Sequence, residues 1–331
     1  MKKTYTKYIL IGLAFIIAPF LQELGLISSS SIIVLGTVMF YSIVSIGLNV
    51  LLGYSGLISL GTAGFMGMGA YISAYLTQDL GFPFIVSLIV SITVPLIIGL
   101  IIGLISLRIE GYYLAIATLG VAEIFRQVFV ELDFFTGGFS GKNASYPDLG
   151  VFTLDKMWTY ILIALCLIAV MIITHNIVYS RSGRALLTMR GSEAAAQAMG
   201  INLLKYRLMA FGIATLYAAL GGVLYVHFIR FAYPSGWNVN LSLQILAVIV
   251  IGGMRTITGP VLGAIVVFGV PELILKQLPI IGNIDGLAYI FTGILIIVVI
   301  LFYPNGLIYI GNDIKKLFKR RHHEKETVSD H

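Results

Sequence analysis

Residues 84–106 read FIVSLIVSITVPLIIGLIIGLIS, an unbroken apolar run without a charged residue. A helix needs roughly 20 such residues, at 1.5 Å each, to cross a hydrocarbon layer about 30 Å thick. The run lacks the apolar–polar alternation of a barrel strand. Helix is the conformation left, because in lipid every backbone N–H and C=O must find a partner within its own segment.

Outward from this run, nine further candidate spans share the pattern, at about 8–27, 32–52, 57–76, 111–131, 158–179, 207–229, 239–254, 259–276 and 286–303. The 331-residue chain is 58% hydrophobic and 11% charged, with a mean hydropathy of +0.98. A soluble domain carries about a quarter charged residues. The expected fold class is an all-α polytopic membrane protein of about ten transmembrane helices, serving to move something across the bilayer. Two spans are weak: 8–27 holds Pro19, Gln22 and Glu23, and 239–254 is short. Both are candidates for broken or tilted helices. Lys2 and Lys3 before an apolar run imitate a signal peptide, but no small-x-small cleavage site follows. The segment is read as a retained first span.

An even number of spans puts both termini on one side, and the basic residues choose that side. With the N-terminus inside, sixteen of the twenty-one Lys and Arg residues are cytoplasmic, against Lys142, Lys156, Arg230 and Lys276 outside. The sequence pI of 9.2 therefore reports topology and gives no reason to expect nucleic acid. The organisation expected is a transmembrane domain over 1–310 and a basic cytoplasmic tail over 311–331. The domain carries a cytoplasmic loop at 180–207 and an extracytoplasmic loop at 132–157. In the tail, Ile314, Leu317 and Phe318 share a helical face among basic residues. That suits a helix on anionic membrane lipid, and equally a solvated tail.

Three segments carry polar or glycine patterns. Between Gly53 and Ala70, glycines stand at 61, 64, 67 and 69. Small residues let helices approach closely, or permit a broken helix whose backbone lines a cavity. Gly99 and Gly103 form a plainer packing pair. In the 111–131 span, Glu123, Arg126 and Gln127 share one face. A charge at mid-bilayer costs about 2.5–3.5 kcal/mol, so this face should not meet lipid. It is either a polar wall of a transport path or a structural Glu123–Arg126 pair with Arg126 reaching outward. Between 181 and 207, Ser192 can cap a short Ala-rich helix that Gly200 ends. Gly137–Lys142 looks like a phosphate loop, but Thr136 and Asn143 stand where Gly and Ser or Thr are needed. The lone Cys166 reads as a packing residue, and the five histidines suggest no shared site. No catalytic or metal-ligating residue is expected.

A longer set of motifs resembles a known family. It runs Gly47-Leu48-Asn49, Gly53-Tyr54-Ser55-Gly56-Leu57, Gly64-Phe65 and Gly69-Ala70-Tyr71, then Arg108 through Gly120, and Glu123-Ile124. It continues with Thr136-Gly137-Gly138, Gly183-Arg184-Ala185, Gly200-Ile201-Asn202, Gly252-Gly253-Met254, Gly259-Pro260 and Pro304-Asn305-Gly306-Leu307. In this order they resemble the LivM-type permeases of branched-chain amino-acid ABC importers. Tyr303 departs from the basic residue usual before the last Pro. The resemblance implies a type II-like importer fold in a bacterial cytoplasmic membrane. It implies a LivH-like sister permease, two cytoplasmic ATP-binding subunits and an extracytoplasmic binding protein as partners. ATP would be hydrolysed by the partner subunits, with no cofactor on this chain. The 192–200 segment resembles the coupling helix, giving Glu193, Ala194, Ala195 and Gly200 as ATPase-coupling residues. Gly61, Gly64, Thr118, Glu123 and Arg126 are the residues assigned to the translocation path. Urea, amides or other amino acids are alternative cargoes. An ion-coupled transporter with Glu123 as proton carrier, or a membrane-embedded enzyme or scaffold, are the readings from other classes.

Overall fold

A computed structural model describes residues 2–106, 112–150, 152–274 and 286–309. Helix occupies each of the ten apolar runs. In chain order these helices are α1 (Lys2–Glu23), α2 (Ser29–Asn49, extended by a π turn over Val50–Tyr54), α3 (Thr62–Gln78), α4 (Phe84–Ser106) and α5 (Tyr112–Glu131). After a short α6 (Asp133–Thr136) come α7 (Lys156–Val178), α8 (Arg181–Gly191), α9 (Glu193–Ala198) and α10 (Leu203–Ile229). The last are α11 (Val239–Gly252), α12 (Gly259–Ala264), which runs through a π turn into α13 (Val270–Leu273), and α14 (Leu287–Phe302). Among the described residues, seven helices are long and apolar enough to cross a bilayer. The helices at 62–78, 259–273 and 287–302 are shorter. The chain is a multi-pass membrane protein.

Several helix starts follow local chemistry. Asp155, Asn202 and Asn238 accept the N–H of Trp158, Lys205 and Leu241 at 2.9, 3.1 and 3.1 Å, capping α7, α10 and α11. α1 differs from its expected form: it is continuous through Pro19 and begins at Lys2. Membrane helices tolerate such a proline because neighbouring groups re-satisfy the freed carbonyl. The 180–207 loop is largely helical, and α10 begins early enough to carry Lys205 and Arg207. The span expected at 57–76 becomes helical only at Thr62. The 239–254 run is a short unbroken helix, whereas 259–276 is interrupted by the π turn at Ile265–Gly269. The Arg108–Gly111 part of the motif series, Lys276 and the tail at 311–331 lie outside the described residues.

The core is organised around α10, which packs on α2, α3 and α4. Glycine sets how closely. A Cβ on Gly69 of α3 would lie 2.8 Å from the Cα of Ala219, and one on Gly222 of α10 would overlap the Met66 carbonyl. Backbones that meet this closely gain dispersion contacts a larger side chain would prevent. Gly252 meets Gly259 in the same way, and Gly306 (φ +91°) rests on Gly253. The Gly-Gly-Met, Gly-Pro and Pro-x-Gly-Leu motifs thus form one crossing.

Contacts sort the loops into two ends. At one, Tyr5 donates to Asn176 at 2.6 Å, Tyr8 lies 3.1 Å from His175 Nδ1, and Tyr54 donates to the Arg255 carbonyl at 2.7 Å. At the other, Lys142 pairs with Asp79 at 2.7 Å. There the strands β1 (Lys142–Asn143) and β2 (Phe231–Ala232) pair antiparallel, and Arg230 lies 4.9 Å from the Tyr146 ring centre. His227 ties this end inward: its Nδ1 is 2.7 Å from the Ser145 carbonyl and its Nε2 2.8 Å from Ser73 Oγ.

Gly222→Val is expected to cost about 3 kcal/mol or more, because backbone blocks the added atoms. Gly293→Ala meets nothing within 4 Å and should be neutral. Thermal unfolding of the two variants in mild detergent checks the pair.

Candidate functional site

The first element of the site is the break between α2 and α3. Gly56 (φ +79°) turns the chain out of helix, and residues 56–61 are non-helical although Ser59 and Gly61 are buried. Thr62 shares a small cavity with Thr215 and Ala218, at the midpoint of α10. The break therefore climbs from one end of the bundle to its middle. Its backbone groups are served from outside: Leu60 N–H donates to Thr118 Oγ1 at 3.0 Å, and Ala63 N–H to Ser242 Oγ at 3.1 Å. Gly61 N–H lies 3.3 Å from Ser59 Oγ. Non-helical backbone at membrane depth persists only where protein or a cavity surrounds it.

Helix α5 presses one face onto this break and leaves the other bare. A Cβ on Gly61 would lie 3.1 Å from the Thr118 carbonyl, and one on Gly64 would lie 3.0 Å from the Ala122 Cα. Gly61, Gly64 and Thr118 thus meet at a buried helix contact. Glu123 and Arg126 do not join them. Arg126 Nε donates to Glu123 Oε1 at 2.8 Å, Nη2 donates to the same oxygen, and the side chains are 29% (Arg126) and 47% (Glu123) exposed. Gln127 donates to Glu131 at 2.9 Å on the same bare face. Tyr113, Ile116, Glu123, Gln127 and Glu131 form its exposed stripe, and nothing approaches a Cβ built on Gly120 between them. At 1.5 Å per residue Glu123 lies about 17 Å into a helix about 30 Å long.

The third element is at the end of the bundle. Ser192 Oγ accepts the Ala195 N–H at 3.2 Å, and Gly200 (φ +77°) ends the turn after α9, as the spacing suggested. Ala196 is the buried side of this helix; Ala194, Ala195 and Gln197 face out. Glu193 accepts from Arg207, which fixes α9 to the N-terminal part of α10.

Four residues central to this end were read in the sequence only as topology or motif letters. Arg190, from α8, donates to the Gly53 carbonyl in the π turn of α2. Burial and neighbouring Arg255 push its pKa below the ordinary arginine value. Asn49 donates to the Thr256 carbonyl at 2.7 Å and accepts the Arg255 N–H at 3.1 Å, while Tyr54 holds the Arg255 carbonyl. Arg255 is held at φ +61°, which costs a non-glycine residue about 1–2 kcal/mol. The only sequence signal was that Asn49, Tyr54 and the Gly252-Gly253-Met254 run belonged to one motif series. Among the described residues no cluster of His, Cys, Asp and Glu could hold a metal.

The family model described as branched-chain amino acid transport system / permease component matches residues 30–300. Among curated proteins, the chain is 27% identical to the high-affinity branched-chain amino acid transport system permease protein LivM of Salmonella typhimurium, over 86% of this chain and 71% of that one. It is 27% identical to the protein of the same description in Escherichia coli, over 88% and 71%. No solved structure matches.

Asn49→Leu is expected to leave the Arg255 N–H and the Thr256 carbonyl unpaired, at a cost of about 2–3 kcal/mol. Tyr54→Phe, losing one bond, should cost about 1 kcal/mol. Unfolding midpoints of the two variants test that order.

Proposed function

The chain belongs to the family of branched-chain amino acid transport system permease components, and from that premise we propose a role for each part of its site. It is a membrane permease for branched-chain amino acids, working as one of two permease subunits in an ATP-driven importer. The observation that carries the proposal is the charged stripe of α5. Glu123, Arg126 and Gln127 lie at mid-helix on a face the described residues leave bare. Left against lipid, such a face costs several kcal/mol. A sister permease covering it, with a wet path between the two subunits, removes that cost. The path then runs along Glu123 and Arg126, and the buried set Gly61, Gly64 and Thr118 acts behind it as the hinge that positions α5.

Glu193, Ala194, Ala195 and Gly200 form the coupling element, and the end bearing them faces the cytoplasm with both termini. The basic residues argue for this orientation, since Lys7, Arg190, Arg207 and Arg255 all belong to that end while Lys142 and Arg230 belong to the other. ATP-binding subunits dock on the outward face of α9. Their closure shifts α8 and α9, and Arg190 passes the shift to the π turn of α2. The nucleotide chemistry belongs to those subunits, and an extracytoplasmic binding protein delivers the amino acid. ATP thereby biases the permease pair between inward- and outward-facing states through differential contacts at α9.

Two measurements test the reading. Purification of the tagged chain in mild detergent is expected to recover a second permease and ATP-binding subunits in stoichiometric amounts; a stable, monodisperse single chain would move weight to a transporter that works alone. Ala195→Arg places a guanidinium on the docking face without touching the buried Ala196. It is expected to weaken docking by about 2 kcal/mol or more, roughly thirtyfold, and to depress leucine uptake with the unfolding temperature unchanged. Uptake at the parent rate would remove the assignment of α9.

A further inference from the structure

On the flank of the bundle, α1 and α12 stand on either side of α2 and leave a groove of about 430 Å³ between them. That is within the range of about 300–1,000 Å³ typical of small-molecule sites. The groove shares no residue with the break, the α5 stripe or the coupling element. Leu35 of α2 lines it, with Ala14 and Phe15 from α1 and Leu262 and Ile265 from the α12 side. Leu262 and Ile265 remain 41% and 36% exposed, so the groove is open rather than sealed. All these residues lie in membrane-spanning or intramembrane helix, where the surrounding medium is lipid.

Among the described lining residues one cation stands at the groove's end. Lys7 contributes to the lining, is exposed, and is in no ion pair among the described residues. It belongs to the end of the bundle where Tyr5 and Tyr8 meet α7. An apolar channel running into the membrane from an ammonium at its edge has the polarity of a phospholipid: hydrocarbon below, phosphate above. Basic pockets between membrane helices bind anionic headgroups for this reason. We propose that the groove holds an acyl chain of an anionic phospholipid whose phosphate is bound by Lys7. The proposal needs only that the chain spans a membrane, and is independent of its cargo and partners. The bound lipid fills space between α1 and α12 that no side chain among the described residues fills, and so fastens α1 to the α12 side of the bundle.

The test uses the full chain, purified with whatever subunits accompany it and exchanged into a neutral detergent. Phosphatidylglycerol or phosphatidylcholine is added at equal concentration, and retained lipid is counted by native mass spectrometry. The expected result is one phosphatidylglycerol retained in preference to phosphatidylcholine. Lys7→Gln should lower that retention about fivefold, the worth of one basic residue near the membrane surface, and Lys7→Arg should restore it. Ala14→Trp, which puts an indole into the groove from an exposed position of α1, should release both lipids. Equal retention of the two lipids, or retention unaffected by Lys7→Gln, would overturn the proposal. A photoreactive amino acid at position 14 in intact membranes gives a reading that does not depend on those variants folding. A phospholipid adduct supports the site, and an adduct to another protein chain assigns the groove to a partner and refutes it.

Discussion

The constraint on which the rest depends is that hydrocarbon offers no hydrogen bonds. A helix satisfies its own backbone, so a chain that stays helical can cross without help. This chain does not stay helical between Gly56 and Gly61. It meets the cost by recruiting hydroxyls from elsewhere: Thr118 from α5, Ser242 from α11 and its own Ser59. Those helices must lie close enough to deliver a side-chain oxygen to within about 3 Å. The glycines of α3 and α10 make that approach possible. Close packing and broken helix, which the glycine pattern left as alternatives, are here two halves of one arrangement.

Polarity elsewhere in the bundle follows a similar logic. At the end bearing α9, Asn49 and Tyr54 satisfy a strained turn at Arg255, and Arg190 reaches a carbonyl in the π turn of α2. At the opposite end, His227 and Ser73 tie a loop to the helices. Each cluster closes on itself within this chain. The α5 stripe differs: its charges pair with each other along one helix, yet the face stays open. Among the described residues this is a charged mid-helix face left bare, and in the proposed assembly the sister permease covers it.

The all-α membrane class and the approximate places of the apolar helices were legible because they rest on composition and period, which need no tertiary information. Residues 84–106 are helical end to end as read. The Ser192 cap and the Gly200 stop were legible because capping is local chemistry. What could not be read depended on distant partners. Thr62, not residue 57, begins α3, because hydroxyls on α5 and α11 stabilise a non-helical stretch that is locally as apolar as its neighbours. Arg190 counted as one more basic residue on one side of the membrane, and its link to Gly53 spans 137 positions of sequence. Glu123 and Arg126 were placed on one face by spacing alone, but that this face would be the open one required knowing what packs on the other.

The break has a consequence for how movement would spread. A continuous helix passes displacement along its own axis, because its hydrogen bonds point from turn to turn. Beyond Leu57, whose N–H still reaches back to the π turn of α2, the bonds turn sideways: Leu60 bonds to α5, and Ala63, in the first turn of α3, to α11. A shift arriving from Arg190 at the near end of this segment cannot travel straight up a rod. It either drags two neighbouring helices with it or gives up a bond of about 1 kcal/mol to each. In the proposed cycle the segment would work as a differential, dividing a single input between two outputs, with the share each helix receives set by a pair of hydroxyl groups.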